Sequence, residues 1–309
     1  MVPHTHTHTH THTHTQSFTL IELLVVIVII GILSGLVVIA TSSFIEKANF
    51  AKAQAFSSTV QNELLFNLVS EWTFDNPEKL GEDTWGSNHG TLMGTEGAQN
   101  LPQLQPAEEC VYGTCLKFDG TDDYIDLGNA SIPNPSLTPK TVTIALWMYR
   151  FPDSSDRRLF SRGAQGGAGA TGYHLDHNRF IIFKNVGDSG RCDSPAGNTL
   201  SNQWVYLVGS YDGTTVRFYQ NGKEAGLGTN CPGQIVHTSS STNKAVIGAL
   251  GYLNTLFFKG MIDDIHFYNI GLSSAQIKQN YIAGLDSLLN KGTLSKEEYN
   301  ERLQALANN

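Results

Sequence analysis

The chain has 309 residues, 40% of them hydrophobic, with 28 acidic against 20 basic side chains and a net charge of −8. That length can bury a substantial core. The acidic balance, with no basic stripe to neutralise phosphates, excludes nucleic acid as the expected partner. The first seventeen residues, MVPHTHTHTHTHTHTQS, hold no Lys or Arg and alternate Thr with His. His4 to His14 therefore fall on one side of an extended strand, where a metal-chelating strip and a translated CA dinucleotide repeat both account for the pattern. Phe18 to Ala40, FTLIELLVVIVIIGILSGLVVIA, is an almost unbroken apolar run carrying one carboxylate, Glu22. As a helix it spans roughly 34 Å against a hydrocarbon core of about 30 Å, so 18–40 is the expected transmembrane segment. An ionised Glu inside it costs several kcal/mol unless something neutralises it, which demands a partner or a special task.

The stretch SFTLIELLVVIVIIGIL resembles the processing and assembly segment of type IV pilin precursors. The resemblance implies that a prepilin peptidase cuts between Ser17 and Phe18 and that the new terminal amine of Phe18 is methylated. It also implies that Glu22 pairs with the terminal amine of a neighbouring subunit, which turns a buried-charge penalty into an assembly signal. The leader departs from the family pattern in lacking basic residues and in carrying Ser17 where Gly is usual. An ordinary signal anchor is the other reading of the same run.

Beyond the apolar run, residues 41–71 are rich in helix formers and free of Gly and Pro, which extends the helix to about Val69. From Phe18 such a stalk reaches roughly 78 Å. Gly31 and Gly35 either loosen it or allow close helix packing; the residues leave both open.

After Glu71 the texture changes to short alternating runs separated by Gly, Asn, Asp and Pro, such as TVTIALWMYRF, RFIIFKNVG and TVRFYQNGK, which read as strands. Asp212-Gly213 and Asn221-Gly222 are hairpin signals. About a dozen such segments imply one antiparallel sandwich. Trp147, Trp204, Phe218 and Tyr219 lie inside these strands and are expected in the core. Four cysteines fall in this region. Cys110 and Cys115 flank a tight turn, while Cys192 and Cys231 bracket the strands at 203–221. Those two pairings are favoured among three, with reduced buried thiols as the alternative, and disulfides suit an exported domain.

The order WTFD, SNHGTLMG, LKFDGTDDYIDLG, TVTIALWM, NQWVYLVGSYDGTTVRFYQNGK and GMIDDIHFYNIGLSSAQIKQNY resembles laminin G-like domains of the concanavalin A-like lectin and glucanase jelly roll, over about Trp72 to Tyr281. The expected class is therefore α+β and multidomain: a leader at 1–17, a helical stalk at 18–70, an all-β jelly-roll sandwich at 71–271 and a short helical tail at 272–309. Ser273 with Gln276 and Ser295 with Glu298 have capping-box spacing in that tail, which reads either as a protein-contacting hairpin or as a solvated appendage.

Hydrolysis on this fold needs paired carboxylates facing one sugar bond, and no strand carries such a spacing. The acidic pairs Asp122–Asp123 and Asp263–Asp264 are adjacent, so their members point to opposite faces. No enzymatic activity is expected. The resemblance instead implies a structural calcium held by Asp75 and Asp263, with Asp264 as the understudy. Hydrogen-bonded turn caps are the alternative use of these residues. Loop positions available for sugar contact are Trp85, Tyr173, His174 and His177, with Asn88, His89, Asp176 and Tyr252 beside them; His89 in SNHGTL matches a turn element of the family. The combined expectation is a minor or tip pilin that displays a lectin-like head for adhesion to glycans or surface proteins. Its partners are other pilins, the peptidase and the inner membrane before export to the cell surface. A structural major pilin and a pseudopilin of a secretion system are the alternatives.

Overall fold

A computed structural model of the chain describes residues 20–32, 64–94, 101–128, 140–152, 157–163, 170–184, 190–236, 244–251 and 255–307. The chain divides into two units, Met1–Gln61 and Asn62–Asn309. In the first, residues 20–32 form helix α1, whose Leu, Ile and Val side chains are exposed and whose first turn carries Glu22. Among the described residues no helix is long and apolar enough to cross a membrane. The Ser17–Phe18 junction, the leader, Gly35 and the stalk at 33–63 lie outside the described residues.

The second unit opens on a helical turn at 64–67 and becomes a strand at Leu68, three residues before the expected boundary at Glu71. LVSEW has no intrinsic bar to a helix. It is extended because it pairs antiparallel with the last strand, where Glu71 faces His266 and Trp72 faces Ile265. Tertiary pairing here overrides local propensity.

Sixteen strands among the described residues make two antiparallel sheets. The nine-stranded sheet contains β1 (Leu68–Trp72), β3 (Gln103–Gln105), β4 (Cys115–Asp119), β6 (Val142–Arg150), β11 (Trp204–Tyr211), β12 (Thr215–Gln220), β13 (Lys223–Glu224), β14 (Thr229–Asn230) and β16 (Lys259–Tyr268). Its order is β13-β12-β11-β6-β16-β4-β3, with β1 also on β16 and β14 on β12. The seven-stranded sheet contains β2 (Thr91–Met93), β5 (Tyr124–Asp126), β7 (Arg158–Arg162), β8 (Gly172–Asp176), β9 (Phe180–Phe183), β10 (Arg191–Asp193) and β15 (Ala245–Ile247). It runs β10-β9-β8-β7-β15-β5-β2. The inner faces meet in one core whose centre is aromatic: Phe160 of β7 lies 6.2 Å from both Trp72 and Phe267 on the facing sheet and 6.3 Å from Tyr173. Such pairs add to area burial through quadrupole alignment.

The tail is not a solvated appendage. Helices α2 (Ser274–Asn290) and α3 (Lys296–Ala307) form a hairpin that covers the outer face of the nine-stranded sheet. The capping box at Ser273 and Gln276 forms as expected, and Glu298 donates its amide to Ser295 Oγ at 3.1 Å. Tyr281 stacks on Trp147, with centroids 5.7 Å apart, and lies 6.3 Å from Tyr206. Trp147, Trp204 and Tyr219 are thus buried, as their strand positions require; Trp147 packs beneath the helices, whereas Phe218 joins the inter-sheet core.

Across the β1–β16 pairing, His266 Nε2 meets Glu71 Oε1 at 3.0 Å and its Nδ1 lies 3.6 Å from Asp264 Oδ2. Burial alone would depress the imidazole, but Asp264 and Glu71 more than reverse that and lift it to about 9. The His266 bond in turn lowers Glu71.

Alanine in place of glycine on an exposed helix gains about 1 kcal/mol, but a Cβ at Gly284 would sit 2.1 Å from Trp147 Cζ2. Gly284→Ala should therefore destabilise the domain by about 1–3 kcal/mol in urea unfolding; a gain would mean the hairpin does not dock. Because the folded pKa of His266 is raised, its contribution is complete below the unfolded value of about 6.5 and is lost as pH rises through about 9. Stability measured between those limits should decline in the wild type, and the decline should be absent from His266→Gln.

Candidate functional site

The acidic residues nominated for calcium come together around one small loop. Cys110 and Cys115 are disulfide-bonded, as are Cys192 and Cys231, so both favoured pairings form. The closed loop folds over β16 and aims its amides at carboxylates: Val111 and Tyr112 each donate to Asp263 Oδ2 at 2.9 Å, and Thr114 donates to Asp75 Oδ1 at 2.7 Å. Between them Gly113 lies against the Asp75 carboxylate, so a Cβ there would push that carboxylate off the Thr114 amide. The peptide joining Cys110 to Val111 is held at both ends. Its N–H goes to Asp263, and its carbonyl accepts from Lys291 Nζ of the turn after α2 at 3.1 Å. Ser287 of α2 also donates to the Val111 carbonyl, at 2.5 Å.

Asp263 is wholly buried, and its Oδ1 has no hydrogen-bond partner. Burial, reinforced by the adjoining Asp264 carboxylate, holds its pKa well above the usual range. A buried orphan carboxylate oxygen beside a second Asp suits a hard cation such as calcium, which takes only oxygen ligands. Asp264 does not belong to this set. A bulge in β16 and a left-handed backbone at Asp264, φ 51°, send its carboxylate to His266 and Glu71 instead. Glu71, Asp264 and His266 form a close cluster of their own, but the two ring nitrogens face different carboxylates, which is the geometry of an ion-paired imidazolium rather than of a shared metal.

The sugar-contact candidates separate by burial. Trp85 is 49% exposed on the loop between β1 and β2. Tyr173 and His174, expected on a loop, lie within β8 and are inaccessible, and His177 just after it is 5% exposed. The physical reason is that both faces of this part of the seven-stranded sheet are covered, so alternation no longer separates inside from outside. Asp176 is equally enclosed and pairs with the buried Arg158 at 2.6 Å. Tyr252 lies outside the described residues.

The loop bearing Trp85 is organised by Asp83, which sequence reasoning passed over. Its Oδ1 accepts the amides of Glu71, Trp85 and Gly86, at 3.0, 3.2 and 2.8 Å, and its Oδ2 accepts that of Asn88 at 2.9 Å. The Asp83 amide donates to His89 Nδ1 at 3.2 Å, while Asn88 donates to Ser70 Oγ at 2.7 Å. His89 and Asn88 therefore build the loop. Two shallow clefts of about 340 and 380 Å³ flank His89, one bounded by Lys79 and Glu82 and the other by Thr91 and Asp126. The available signal was an Asp followed by Gly, Ser and Asn within five residues, the composition of an Asx-type turn.

Comparison with known proteins agrees with this architecture. A prokaryotic N-terminal methylation motif matches residues 13–38. No curated protein matches the chain. Among solved structures, domain 4 of AbnA, an extracellular arabinanase of Geobacillus stearothermophilus in complex with arabinotriose, is 22% identical over 69% of this chain and 97% of its own, with a TM-score of 0.48. The binding domain of Paraclostridial mosquitocidal protein 1 is 14% identical over 72% of this chain and 53% of its own, with a TM-score of 0.53. The ligand-binding domain of botulinum neurotoxin serotype D, in complex with N-acetylneuraminic acid, is 11% identical over 73% of this chain and 53% of its own, at 0.50. The chain spans about half the length of these toxin domains. At such identities the likeness is one of fold. A family model covering residues 119–278, more than half of the sequence, places the head: the chain belongs to the concanavalin A-like lectin/glucanases superfamily.

Proposed function

We propose that this chain is a minor or tip subunit of a type IV pilus-like filament whose jelly-roll head binds glycans or surface proteins. The observation that carries the reading is the presence in one polypeptide of a prepilin methylation motif at 13–38 and a lectin-superfamily domain at 119–278. The precursor resides in the inner membrane until the peptidase cuts before Phe18; Glu22 then pairs with the methylated amine of a neighbouring subunit, and the head reaches the cell surface. A sandwich of this size on every subunit would crowd a filament, which favours low stoichiometry over a major-pilin role.

The head acts as a binding module without catalysis. In support of that, the acidic residues of β16 are committed to backbone amides and to His266 rather than to an open cleft. Calcium is the proposed structural cofactor, held by Asp75 and Asp263, where it would neutralise two carboxylates under the disulfide loop. Trp85 is the exposed aromatic best suited to stack on a sugar ring.

The test uses filaments sheared from cells that express the wild type or Glu22→Ala, applied to a glycan array with calcium and with chelator. Wild-type filaments should contain the chain in small proportion and bind a restricted set of glycans, while Glu22→Ala should be processed yet stay in the membrane. Binding to no glycan would remove the lectin reading. Normal incorporation of Glu22→Ala would remove the pairing role, and dominance of the filament by mass would make the chain a major pilin.

A further inference from the structure

The turn DGTDD carries the chain from β4 in the nine-stranded sheet to β5 in the seven-stranded sheet, and its three carboxylates converge. Ligand oxygens of Asp119, Asp122 and Asp123 all lie within 4.8 Å of one another. Asp119 Oδ1 accepts the Thr121 and Asp122 amides at 2.7 and 3.3 Å, and Asp123 Oδ2 accepts the Asp119 amide at 2.9 Å. These bonds fix the Asp119 and Asp123 carboxylates in the turn. Asp123 is only 3% exposed, and its Oδ1 is buried with no hydrogen-bond partner. A desolvated oxygen of this kind carries an uncompensated penalty that a cation would remove.

We infer that the Asp119–Asp122–Asp123 turn is a divalent-cation site, suited to calcium, that pins the crossover between the two sheets. The donor set is all oxygen, with no imidazole or thiolate, which selects hard cations over transition metals. Burial is graded, from Asp123 enclosed through Asp122 half-buried to Asp119 exposed, so one side is closed by protein and the other is open to water, which completes the shell. Two basic side chains approach the turn from other elements. Arg157 Nη1 donates to the carbonyls of Gly120 and Phe257 at 3.3 and 2.7 Å, and Lys259 packs beside Gly120. The site is separate from the Asp75–Asp263 pair: Asp119 faces Lys259 at the start of β16, whereas Asp263 lies four residues farther along the same strand.

Calcium chloride titrated calorimetrically into the purified full-length chain in detergent, with melting temperatures in calcium and in EDTA, tests the assignment. The wild type should show a binding event that Asp122→Asn weakens by at least about tenfold and that is still present in Asp263→Asn, where only binding at the separate Asp75–Asp263 pair is lost, and Asp122→Asn should melt like the wild type in EDTA but below it in calcium. The inference is overturned if the wild type takes up no calcium at millimolar concentration or if Asp122→Asn binds as the wild type does. It is equally overturned if only Asp263→Asn loses binding, or if Asp122→Asn lowers the melting temperature by the same amount in EDTA, which would make the turn a set of backbone caps.

Discussion

Strand β16 changes its edge partner halfway along, and the site around the disulfide loop depends on how that exchange is made. Residues 259–262 pair with β4, and residues 265–268 pair with β1 on the same edge, while β6 runs beside both halves. At the junction the strand bulges: Asp263 faces Trp147 but His266 already faces Ala145. Two partner strands cannot end at one point without freeing backbone amides, and the loop leading into β4 brings three of them there. Asp263 and Asp75 accept those amides. The bulge also breaks the rule that neighbouring strand residues face opposite ways in register, so Asp263 serves the loop while Asp264, in a left-handed conformation, serves the His266–Glu71 pair that holds β1. Two adjacent acids thereby fasten two different strands.

The helical hairpin completes the same junction from outside. Lys291 and Ser287 hold the carbonyls of Cys110 and Val111, Thr293 donates to the Glu108 carbonyl at 3.1 Å, and Arg302 reaches the Trp204 carbonyl at 3.2 Å. An ammonium on one end of the Cys110–Val111 peptide polarises the N–H at the other end toward Asp263, which strengthens a bond to a buried carboxylate. The C-terminal helices are therefore part of the head, and a lectin-like module ending at the last strand would lack the cover over Trp147 and Tyr206.

Much of this was legible in the sequence where the cause is local. Hairpin dipeptides, the Ser273–Gln276 box, the Cys110–Cys115 disulfide and the strand character of the head rest on a few neighbouring residues, and they are found as read. The contacts that make the site are not local. Asp263 and Val111 are 152 residues apart, and nothing in MIDDIHFY announces that β16 will be shared by two partners at its centre. The same limit explains the two misplacements. Leu68–Trp72 has helix-compatible composition and is a strand only because β16 offers an edge. Tyr173 and His174 carry the chemistry of a sugar site, yet sit in a strand covered on both faces. Calcium was inferred from family likeness; the unpartnered Oδ1 of Asp263 is an independent physical reason to look for it.

Asp263 and the disulfide loop form one rigid unit with β16. Hydrogen exchange at the amides of Val111 and Tyr112 measures this directly. Exchange as slow as that of the β16 and β6 amides, and accelerated by Asp263→Ala, is the predicted result. Exchange at the rate of an exposed loop, indifferent to that substitution, would contradict it.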